Sequence, residues 1–315
     1  MTSVPFHRAL VLTAGLGTRL RPLTLARAKA AVPVDGEALA VRVIQWLTNS
    51  GVSDFVLNLH HKPESITRVI GDGSRLGARI RYSWESPVLG SAGGPRHAMP
   101  LLVDGIDPPP PLLVVNGDTL TDVDLRGLAD HHTRSGARVT MALIPNPRPD
   151  KYGGVVVEGD VVTGFTKRGS GIPSFHFIGV QVIDPGVLQP LDDNVFVESV
   201  LGIYPEMMTA APGSIRAFVS NASFHDIGTP ADLLATSLDL AAADGRPGAP
   251  RRGARVRVDA SATVERCLLW DDVTVRPGAV LRECIVADGV TIEADERFER
   301  KAIVVDGGHR LIAAI

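Results

Sequence analysis

Residues 10–34 read LVLTAGLGTRLRPLTLARAKAAVPV, in which a short apolar run leads into a glycine turn with basic side chains, Arg19 and Lys29 among them. The apolar run predicts a buried β-strand. Gly15 and Gly17 let backbone N–H groups approach phosphate oxygens, because no Cβ stands in the way. A guanidinium such as that of Arg19 binds two such oxygens at once. The stretch therefore predicts a strand that leads into an anion-binding loop.

The loop matches neither of the two common phosphate-binding motifs. A dinucleotide-binding fold uses G-x-G-x-x-G, but Leu20 occupies the third glycine position and Pro22 interrupts the helix that should follow. A Walker loop needs a Gly-Lys pair, which the chain lacks. On this stretch alone, a surface glycine turn with exposed basic residues stays an alternative to a phosphate site.

Composition narrows the class of protein. The chain has 315 residues with 44% hydrophobic and 21% charged residues, so a sizeable core is available. A net charge of −3 disfavours a nucleic-acid-binding protein. We find neither a signal peptide nor an apolar run near the ~20 residues that span a bilayer, and two cysteines are too few for a disulfide framework. We expect a cytoplasmic protein without a membrane partner.

The alternation of elements predicts the fold class. Up to about residue 145, apolar runs such as RALVLTA, DFVLNLH and PLLVVNGD alternate with helical segments. This order is typical of βαβ units, and it predicts a Rossmann-like α/β fold with a mixed, mostly parallel sheet and helices on both faces. We assign residues 1–243 to this catalytic domain and the Gly-, Pro- and Arg-rich residues 244–254 to a linker.

An internal repeat follows the linker. Residues 258–274 align with 275–291 at an offset of 17, so that Cys267 matches Cys284. Apolar residues recur in steps of about six, which is the hexapeptide pattern of a β-helix. Residues 255–315 are therefore predicted to form a short left-handed parallel β-helix, with the two cysteines stacked as inward neighbours. Its apolar ends need cover, which predicts a homo-oligomer that assembles through this domain.

The N-terminal stretch also carries a family resemblance. GLGTRLRPLT…AKAAVPV resembles the motif of the sugar-phosphate nucleotidyltransferases, or nucleotide-sugar pyrophosphorylases, although Ala28 and Ala30 stand where that family usually has proline. In this family the glycine loop wraps a nucleoside triphosphate, and the Arg and Lys act on its phosphates. The resemblance implies NTP contacts from Ala14, Gly15, Gly17, Thr18, Arg19 and Lys29, the last two being catalytic.

Four further stretches resemble the family in the same order. LGSAGG (89–94) is similar to the loop on the base and ribose, and VVNGD (114–118) to the strand end that holds Mg²⁺. KYGGVVVEGDVVTGFTKR is similar to the segment whose Lys holds the sugar phosphate, and FHDIGTPADLL to the one with the second Mg²⁺ ligand. The resemblance implies nucleotide contacts from Gly90, Ser91, Asn116 and Asp118, sugar-phosphate contacts from Gly153, Thr166 and the catalytic Lys167, and Mg²⁺ ligands Asp118 and Asp226.

Two positions leave the sugar open. Thr166 replaces the usual Glu of the family segment and Arg168 the usual Pro, and that Glu often contacts sugar hydroxyls. Glu198, in VFVESVLGIYP, is a candidate for the sugar pocket, with an exposed helix carboxylate as the alternative.

The resemblance implies Mg²⁺-dependent attack of a sugar 1-phosphate oxygen on the α-phosphorus of an NTP, with pyrophosphate leaving. LGSAGG followed by a β-helix most resembles the mannose-1-phosphate guanylyltransferase branch, which implies GTP and mannose 1-phosphate as substrates. The alternatives are uridylyl or thymidylyl transfer to glucose 1-phosphate or to an amino-sugar 1-phosphate such as N-acetylmuramate 1-phosphate. A further alternative, from another class, is a non-catalytic regulatory homologue that binds nucleotide sugars.

Overall fold

A computed structural model describes Phe6 and residues 8–315, which form two compact units. The first, which we call the sheet unit, contains the described residues up to Ala14 together with residues 43–60 and 70–224. The second, the repeat unit, contains residues 15–42, 61–69 and 225–315. These bounds differ from the sequence-based division at 244–254, because residues 15–42 cluster with the C-terminal repeats. The functional assignment of 1–243 and 255–315 stays a prediction.

The helices are α1 Leu39–Asn49, α2 Pro63–Ile70, α3 Gly90–Val103, α4 Leu125–Ser135, α5 Pro185–Leu188, α6 Tyr204–Ala210 and α7 Pro230–Ala243. The strands are β1 Arg8–Leu12, β2 Pro33–Val34, β3 Glu37–Ala38, β4 Asp54–Leu59, β5 Arg79–Trp84, β6 Leu112–Asn116, β7 Thr119–Thr121, β8 Val139–Pro145, β9 Gly154–Glu158, β10 Val161–Thr166, β11 Phe175–Ile183, β12 Ile215–Val219, β13 Phe224–Asp226, β14 Arg257–Val258, β15 Thr263–Glu265, β16 Leu268–Leu269, β17 Thr274–Val275, β18 Val280–Arg282, β19 Ile285–Val286, β20 Thr291–Ile292, β21 Arg297–Glu299, β22 Lys301–Asp306 and β23 His309–Ala314. Among the described residues, no helix combines the length and apolar character that crossing a membrane requires.

The sheet unit is built on nine strands in the order β5-β4-β1-β6-β11-β8-β12-β10-β9. The strands β5, β4, β1 and β6 are parallel, as predicted from the βαβ pattern. Strand β11 runs antiparallel to both of its neighbours, β6 and β8, and β10 runs antiparallel to β12 and β9. Strands β8 and β12 pair in parallel, so only β10 and β11 run against the other seven strands, and the prediction of a mixed, mostly parallel sheet is confirmed.

The parallel half of the sheet determines where polar side chains gather. In β1 the apolar residues Leu10 and Val11 are fully buried, and the helix α3 packs on β1 and β4. Leu12, at the end of β1, pairs with Asn58 on one side and with Asn116 on the other. Because these strands are parallel, their carboxyl ends lie at one edge of the sheet, where ligands bind in open α/β folds.

The repeat unit contains three sheets whose strands β14 to β22 pair in parallel at one period, and the antiparallel strand β23 is added to one of them. Each of the strands β14 to β19 pairs with the strand 17 residues later, which confirms the alignment of the repeats. The three paired series, each of which continues into a third strand, are Val258–Val275–Ile292, Val264–Leu281–Phe298 and Leu269–Val286–Ile303. Short parallel strands on three faces are compatible with successive coils of a β-helix.

Left-handed backbone conformations turn the chain between these sheets at the same period. Arg266, Glu283 and Arg300 all have positive φ and lie 17 residues apart. The predicted stacking of Cys267 and Cys284 is confirmed, because both thiols are buried and free, and the backbone N–H of Cys284 donates to the Cys267 sulfur at 3.3 Å. The repeat thus specifies both the inward residues and the corners of each coil.

A buried carboxylate ties the predicted linker to the repeat unit. Asp35 is only 1% exposed and accepts hydrogen bonds from Arg246 at 2.6 Å and from the backbone and side chain of Arg251. Burial alone raises the pKa of this carboxyl, but the hydrogen bonds and charges of the two arginines outweigh it and lower the pKa below 3.8. The segment 244–254 is therefore held at two points rather than free.

We expect Asp35→Ala to lower the free energy of unfolding at pH 7 by about 2–3 kcal/mol, because hydrogen bonds to a buried charged group are lost. The folded-state pKa of Asp35 is depressed, so its contribution is complete above the unfolded pKa and disappears as the pH falls through the folded value. Urea unfolding of both proteins from pH 7 to pH 3 should show the difference shrinking below pH 3.8. A difference that stays constant with pH would contradict the ion pairing.

Candidate active site

The glycine loop closes on itself through Gly17. This residue has φ 60° and ψ 33°, and a Cβ placed on it would lie 2.8 Å from Thr24 Cγ2 and 3.1 Å from Lys29 Cβ. The Thr24 hydroxyl donates to the Gly17 carbonyl at 3.1 Å. The left-handed turn therefore brings the backbone at 17 against Lys29, which is twelve positions later in the chain.

The repeat unit contains four of the predicted site residues near this turn: Thr18, Arg19, Lys29 and Asp226. Thr18 and Arg19 form a short 3₁₀ turn with exposed side chains, whereas Lys29 is 9% exposed. A Cβ placed on Gly228 would lie 2.9 Å from an Asp226 oxygen and 3.1 Å from Arg19 Nη1. Arg19 and Asp226 thus lie close together around a glycine, although 207 positions separate them in the sequence. This places a cation beside a carboxylate.

In the sheet unit, the predicted polar residues lie just beyond the end of β6. Asn116 is the last residue of this strand, and its side chain packs on the backbone of Gly179, where a Cβ would come within 2.7 Å of Nδ2. Gly117 donates its N–H to the Leu12 carbonyl at 2.9 Å. The half-buried carboxylate of Asp118 follows, so it lies at the carboxyl edge of the parallel strands. Ala14 is buried beyond the end of neighbouring β1.

The predicted loop 89–94, whose residues from Gly90 onward form the first turn of α3, is tied to the segment 197–199. Gly90 has φ 81°, and a Cβ there would lie 2.6 Å from the Val197 carbonyl oxygen. The Ser91 hydroxyl accepts the Ser199 N–H at 2.9 Å and lies 3.0 Å from the Ser199 hydroxyl. These contacts fix Ser91 beside Glu198, the residue between Val197 and Ser199. Two predicted residues from separate stretches therefore belong to one structural feature.

A buried polar network behind this loop was not predicted from the sequence. The Asn58 side chain accepts the Thr13 N–H at 2.6 Å and donates to a Glu85 oxygen at 2.7 Å. The other Glu85 oxygen accepts the Leu89 N–H at 2.8 Å, and Glu85 is only 4% exposed. The network joins the end of β1 to the start of the 89–94 loop. The sequence signal that could have indicated this network is a polar residue near the end of each parallel strand.

One cavity of about 380 Å³ collects most of the predicted sugar-phosphate residues. Gly153, Thr166 and Glu198 line it together with Ser91, a predicted nucleotide contact, although the four residues come from separate segments. Apolar side chains complete the wall: Val155, Phe165, Phe177, Val200 and Leu201. Lys167 does not line this cavity; it is exposed directly after β10. The size and the mixed lining suit a small polar ligand with some apolar surface.

An aromatic cluster supports one side of the cavity. His176, which also lines the cavity, lies 4.4 Å from the Tyr152 ring and 4.6 Å from the Phe224 ring, measured between centroids. The ammonium of Lys151 lies 5.1 Å from the centroid of the Tyr152 ring. Packing of this kind holds the backbone at 152–154, and with it Gly153, in a defined position.

The donor chemistry suits a hard divalent cation that is completed by substrate. Within Phe6 and residues 8–315, no cluster of three or more His, Cys, Asp or Glu side chains is arranged to hold a metal. Mg²⁺ prefers oxygen ligands, and proteins usually bind it through one or two carboxylates together with substrate phosphates and water. Asp118 in the sheet unit and Asp226 in the repeat unit each present carboxylate oxygens, the ligand type that Mg²⁺ prefers.

Comparisons with known sequences give a consistent family. A model of the nucleotidyl transferase family matches residues 8–243. A mannose-1-phosphate guanylyltransferase of Mycobacterium tuberculosis is 30% identical over 302 residues, which cover 93% of this chain and 83% of that protein. Mannose-1-phosphate guanylyltransferase 1 of Arabidopsis thaliana is 29% identical over 314 residues, which cover 94% and 84%.

Solved structures share the fold. HddC from Yersinia pseudotuberculosis superposes with a TM-score of 0.64 at 21% identity, covering 75% of this chain and all of that one. Its complex with GMP-PN gives a TM-score of 0.63. A putative glucose-1-phosphate thymidylyltransferase from Bacillus anthracis, solved with sucrose, gives 0.64 at 16% identity and covers 76% and 95%. At these identities the likeness shows the α/β fold.

The two loop glycines allow a matched test of the turn. We expect Gly17→Ala to lower the free energy of unfolding by about 1–2 kcal/mol, because an L-residue is strained at positive φ, and the Thr24 contact adds to that cost. Gly15→Ala is the control, since a Cβ there meets nothing within 4 Å, and it should change stability by less than about 0.5 kcal/mol. Urea denaturation measures both. Equal effects of the two substitutions would contradict the proposed closure at Gly17.

Proposed function

The chain belongs to the nucleotidyl transferase family, and we propose that it transfers a nucleotidyl group from an NTP to a sugar 1-phosphate, releasing pyrophosphate. We propose GTP and mannose 1-phosphate as the substrates, because the guanylyltransferase relatives align over more than nine tenths of the chain. The product would be a nucleotide sugar for biosynthesis.

The observation that carries this proposal is the cavity of the sheet unit. Residues that the family resemblance connects with the nucleotide and with the sugar phosphate, Ser91, Gly153 and Thr166, line one space of about 380 Å³. Glu198, the candidate from its own stretch, lines it as well. A site for a sugar unit explains why hydroxyl and carboxylate groups share this wall with apolar side chains.

The main obstacle to the reaction is charge repulsion between two polyanions. Two unit charges 4 Å apart repel by about 4 kcal/mol at an effective dielectric constant of ~20. The attacking phosphate oxygen is already anionic at neutral pH, so no general base is needed. A new bond forms between this oxygen and the α-phosphorus, and the bond from the α-phosphorus to the bridging oxygen breaks. Catalysis then consists of positioning and charge neutralisation.

We propose that cationic side chains carry these tasks. Arg19 and Lys29 bind the phosphates of the NTP and neutralise the departing pyrophosphate, with Gly15, Gly17 and Thr18 of the same loop donating N–H groups. Lys167 holds the attacking sugar phosphate. The remaining proposed nucleotide contacts are Ala14, Gly90, Ser91, Asn116 and Asp118.

We propose Mg²⁺ as the cofactor, with Asp118 and Asp226 as the carboxylate ligands. When bound, the cation supplies neutralising charge and oxygen coordination for the substrate phosphates. The chain's own part is to present two carboxylates, each half-buried and therefore restricted in movement.

The remaining assignments extend the same proposal. We propose residues 1–243 as the catalytic domain and 255–315 as a left-handed β-helix, supported by the 17-residue period of its three parallel sheets. Assembly of a homo-oligomer through the β-helix and a cytoplasmic location stay predictions.

A panel of nucleotides and sugar 1-phosphates tests the function and the substrates together. GTP, UTP, dTTP, ATP and CTP are each paired with mannose, glucose and N-acetylamino-sugar 1-phosphates in the presence of Mg²⁺, and released pyrophosphate is measured. We expect the fastest release with GTP and mannose 1-phosphate. A faster pair moves the assignment to that alternative, whereas no release from any pair would leave a non-catalytic regulatory homologue.

Asp118→Asn tests the metal role. The substitution keeps the shape of the side chain and removes its charge, so we expect an unchanged melting temperature and a loss of turnover of roughly a hundredfold or more. Asp130→Asn is the control, because Asp130 is an exposed acid on α4. Turnover of the Asp118 variant within a few-fold of the wild type would remove the metal role of this residue.

A further inference from the structure

Arg27 lies between the two parts of the N-terminal motif, residues 15–24 and 28–34, and its side chain contacts the C-terminal repeats. Its guanidinium donates to both oxygens of Asp288 at 2.7 Å and to Asp271 at 2.7 Å. It also lies 5.6 Å from the centroid of the buried Trp270 ring. The motif itself does not include Arg27, and 261 positions separate this residue from Asp288.

The two carboxylates occupy equivalent positions of successive repeats. Asp271 and Asp288 are 17 residues apart, and the Asp271 N–H donates to an Asp288 oxygen at 3.1 Å. Two stacked carboxylates repel each other unless a cation lies between them. Burial alone would lower the pKa of Arg27, but the hydrogen bonds and charges of Asp288 and Asp271 raise it instead. A fork of five donors fits this arrangement, whereas an ammonium satisfies it only in part.

The anchored segment carries the proposed catalytic lysine. Lys29 begins a 3₁₀ turn two residues after Arg27, and Ala28 between them is fully buried and donates its N–H to Ser65 at 2.9 Å. The preceding turn, residues 23–25, packs against β22. Arg27 thus adds a charged contact to a segment that also packs through residues 23–25 and donates a hydrogen bond through Ala28.

We propose that Arg27 is a positioning residue for nucleotidyl transfer: by binding the stacked carboxylates of Asp271 and Asp288, it holds the phosphate loop in the conformation that aims Lys29 at the NTP. The C-terminal repeats then take part in catalysis as the fixed support of this loop. The inference rests on the proposed function, because it assigns Lys29 to the phosphates of the NTP.

Steady-state kinetics of Arg27→Ala test this role. We expect kcat to fall roughly ten- to a hundredfold, because small displacements of a catalytic group are costly. The KM for the sugar 1-phosphate should stay nearly unchanged, since the proposed ligands of that substrate lie elsewhere in the chain. Arg27→Lys should restore part of kcat by reaching one of the two carboxylates. A kcat of Arg27→Ala within about twofold of the wild type would overturn the proposal.

Arg255→Ala provides the matched control. Arg255 forms an Arg–Asp pair with Asp272, the residue next to Asp271, but both side chains are at least half exposed. Its removal should change kcat by less than about twofold. If Arg27→Ala does not fold, the double variant Asp271→Asn, Asp288→Asn removes instead the two negative charges that Arg27 binds. A folded double variant with wild-type kcat would equally overturn the proposal.

Hydrogen exchange separates this inference from the proposed function. In the substrate-free protein, Arg27→Ala should speed amide exchange in residues 20–32 by roughly tenfold or more, and Arg255→Ala should not. Unchanged exchange in that segment overturns the anchor, whatever the kinetics of the wild type. A wild type that releases no pyrophosphate with any substrate pair, but shows the expected exchange, overturns the proposed function and leaves the anchor intact.

Discussion

The left-handed turn at Gly17 is the constraint on which the conformation of the glycine loop depends. The backbone there approaches Thr24 and Lys29 so closely that a Cβ would lie 2.8 Å from one and 3.1 Å from the other. This approach brings the turn that carries Arg19 against the segment that carries Lys29. The two cations, Arg19 and Lys29, are thus held in one structural feature. The buried Ala28 and the Arg27 ion pairs hold the far end of that feature, so both ends are restrained.

The sheet unit contains a second group of polar residues. Its parallel strands end in polar residues at one edge, and buried hydrogen bonds from Asn58 to Glu85 and from Leu89 to Glu85 fix the loop that begins there. Neutral and acidic groups dominate this edge and the adjoining cavity, whereas the glycine loop is basic. Both reactants of the proposed transfer are anions, so the basic glycine loop supports a proposal of transfer between two anions rather than hydrolysis by an activated nucleophile.

Periodic features were predictable from the sequence, and long-range polar contacts were not. The 17-residue offset identified the parallel strand pairs of the repeats, because identical spacing leaves one register that aligns Val258, Val275 and Ile292, but it did not indicate the antiparallel pair β22–β23. The βαβ pattern predicted the parallel strands, but an apolar run does not encode strand direction, so the antiparallel β11 was missed. Nothing in the sequence paired Glu85 with Asn58, and the partners of Arg27 lie more than 240 residues away. The predicted site residues follow from a family resemblance, and their roles stay proposals.

The fate of oxygen atoms during turnover tests the central claim most directly. Sugar 1-phosphate labelled with ¹⁸O throughout its phosphate is incubated with unlabelled NTP, and the products are examined by mass spectrometry. Direct attack on the α-phosphorus predicts that all of the label stays in the nucleotide sugar and that pyrophosphate is unlabelled. Label in the pyrophosphate, or release of a nucleoside monophosphate in its place, would contradict the account.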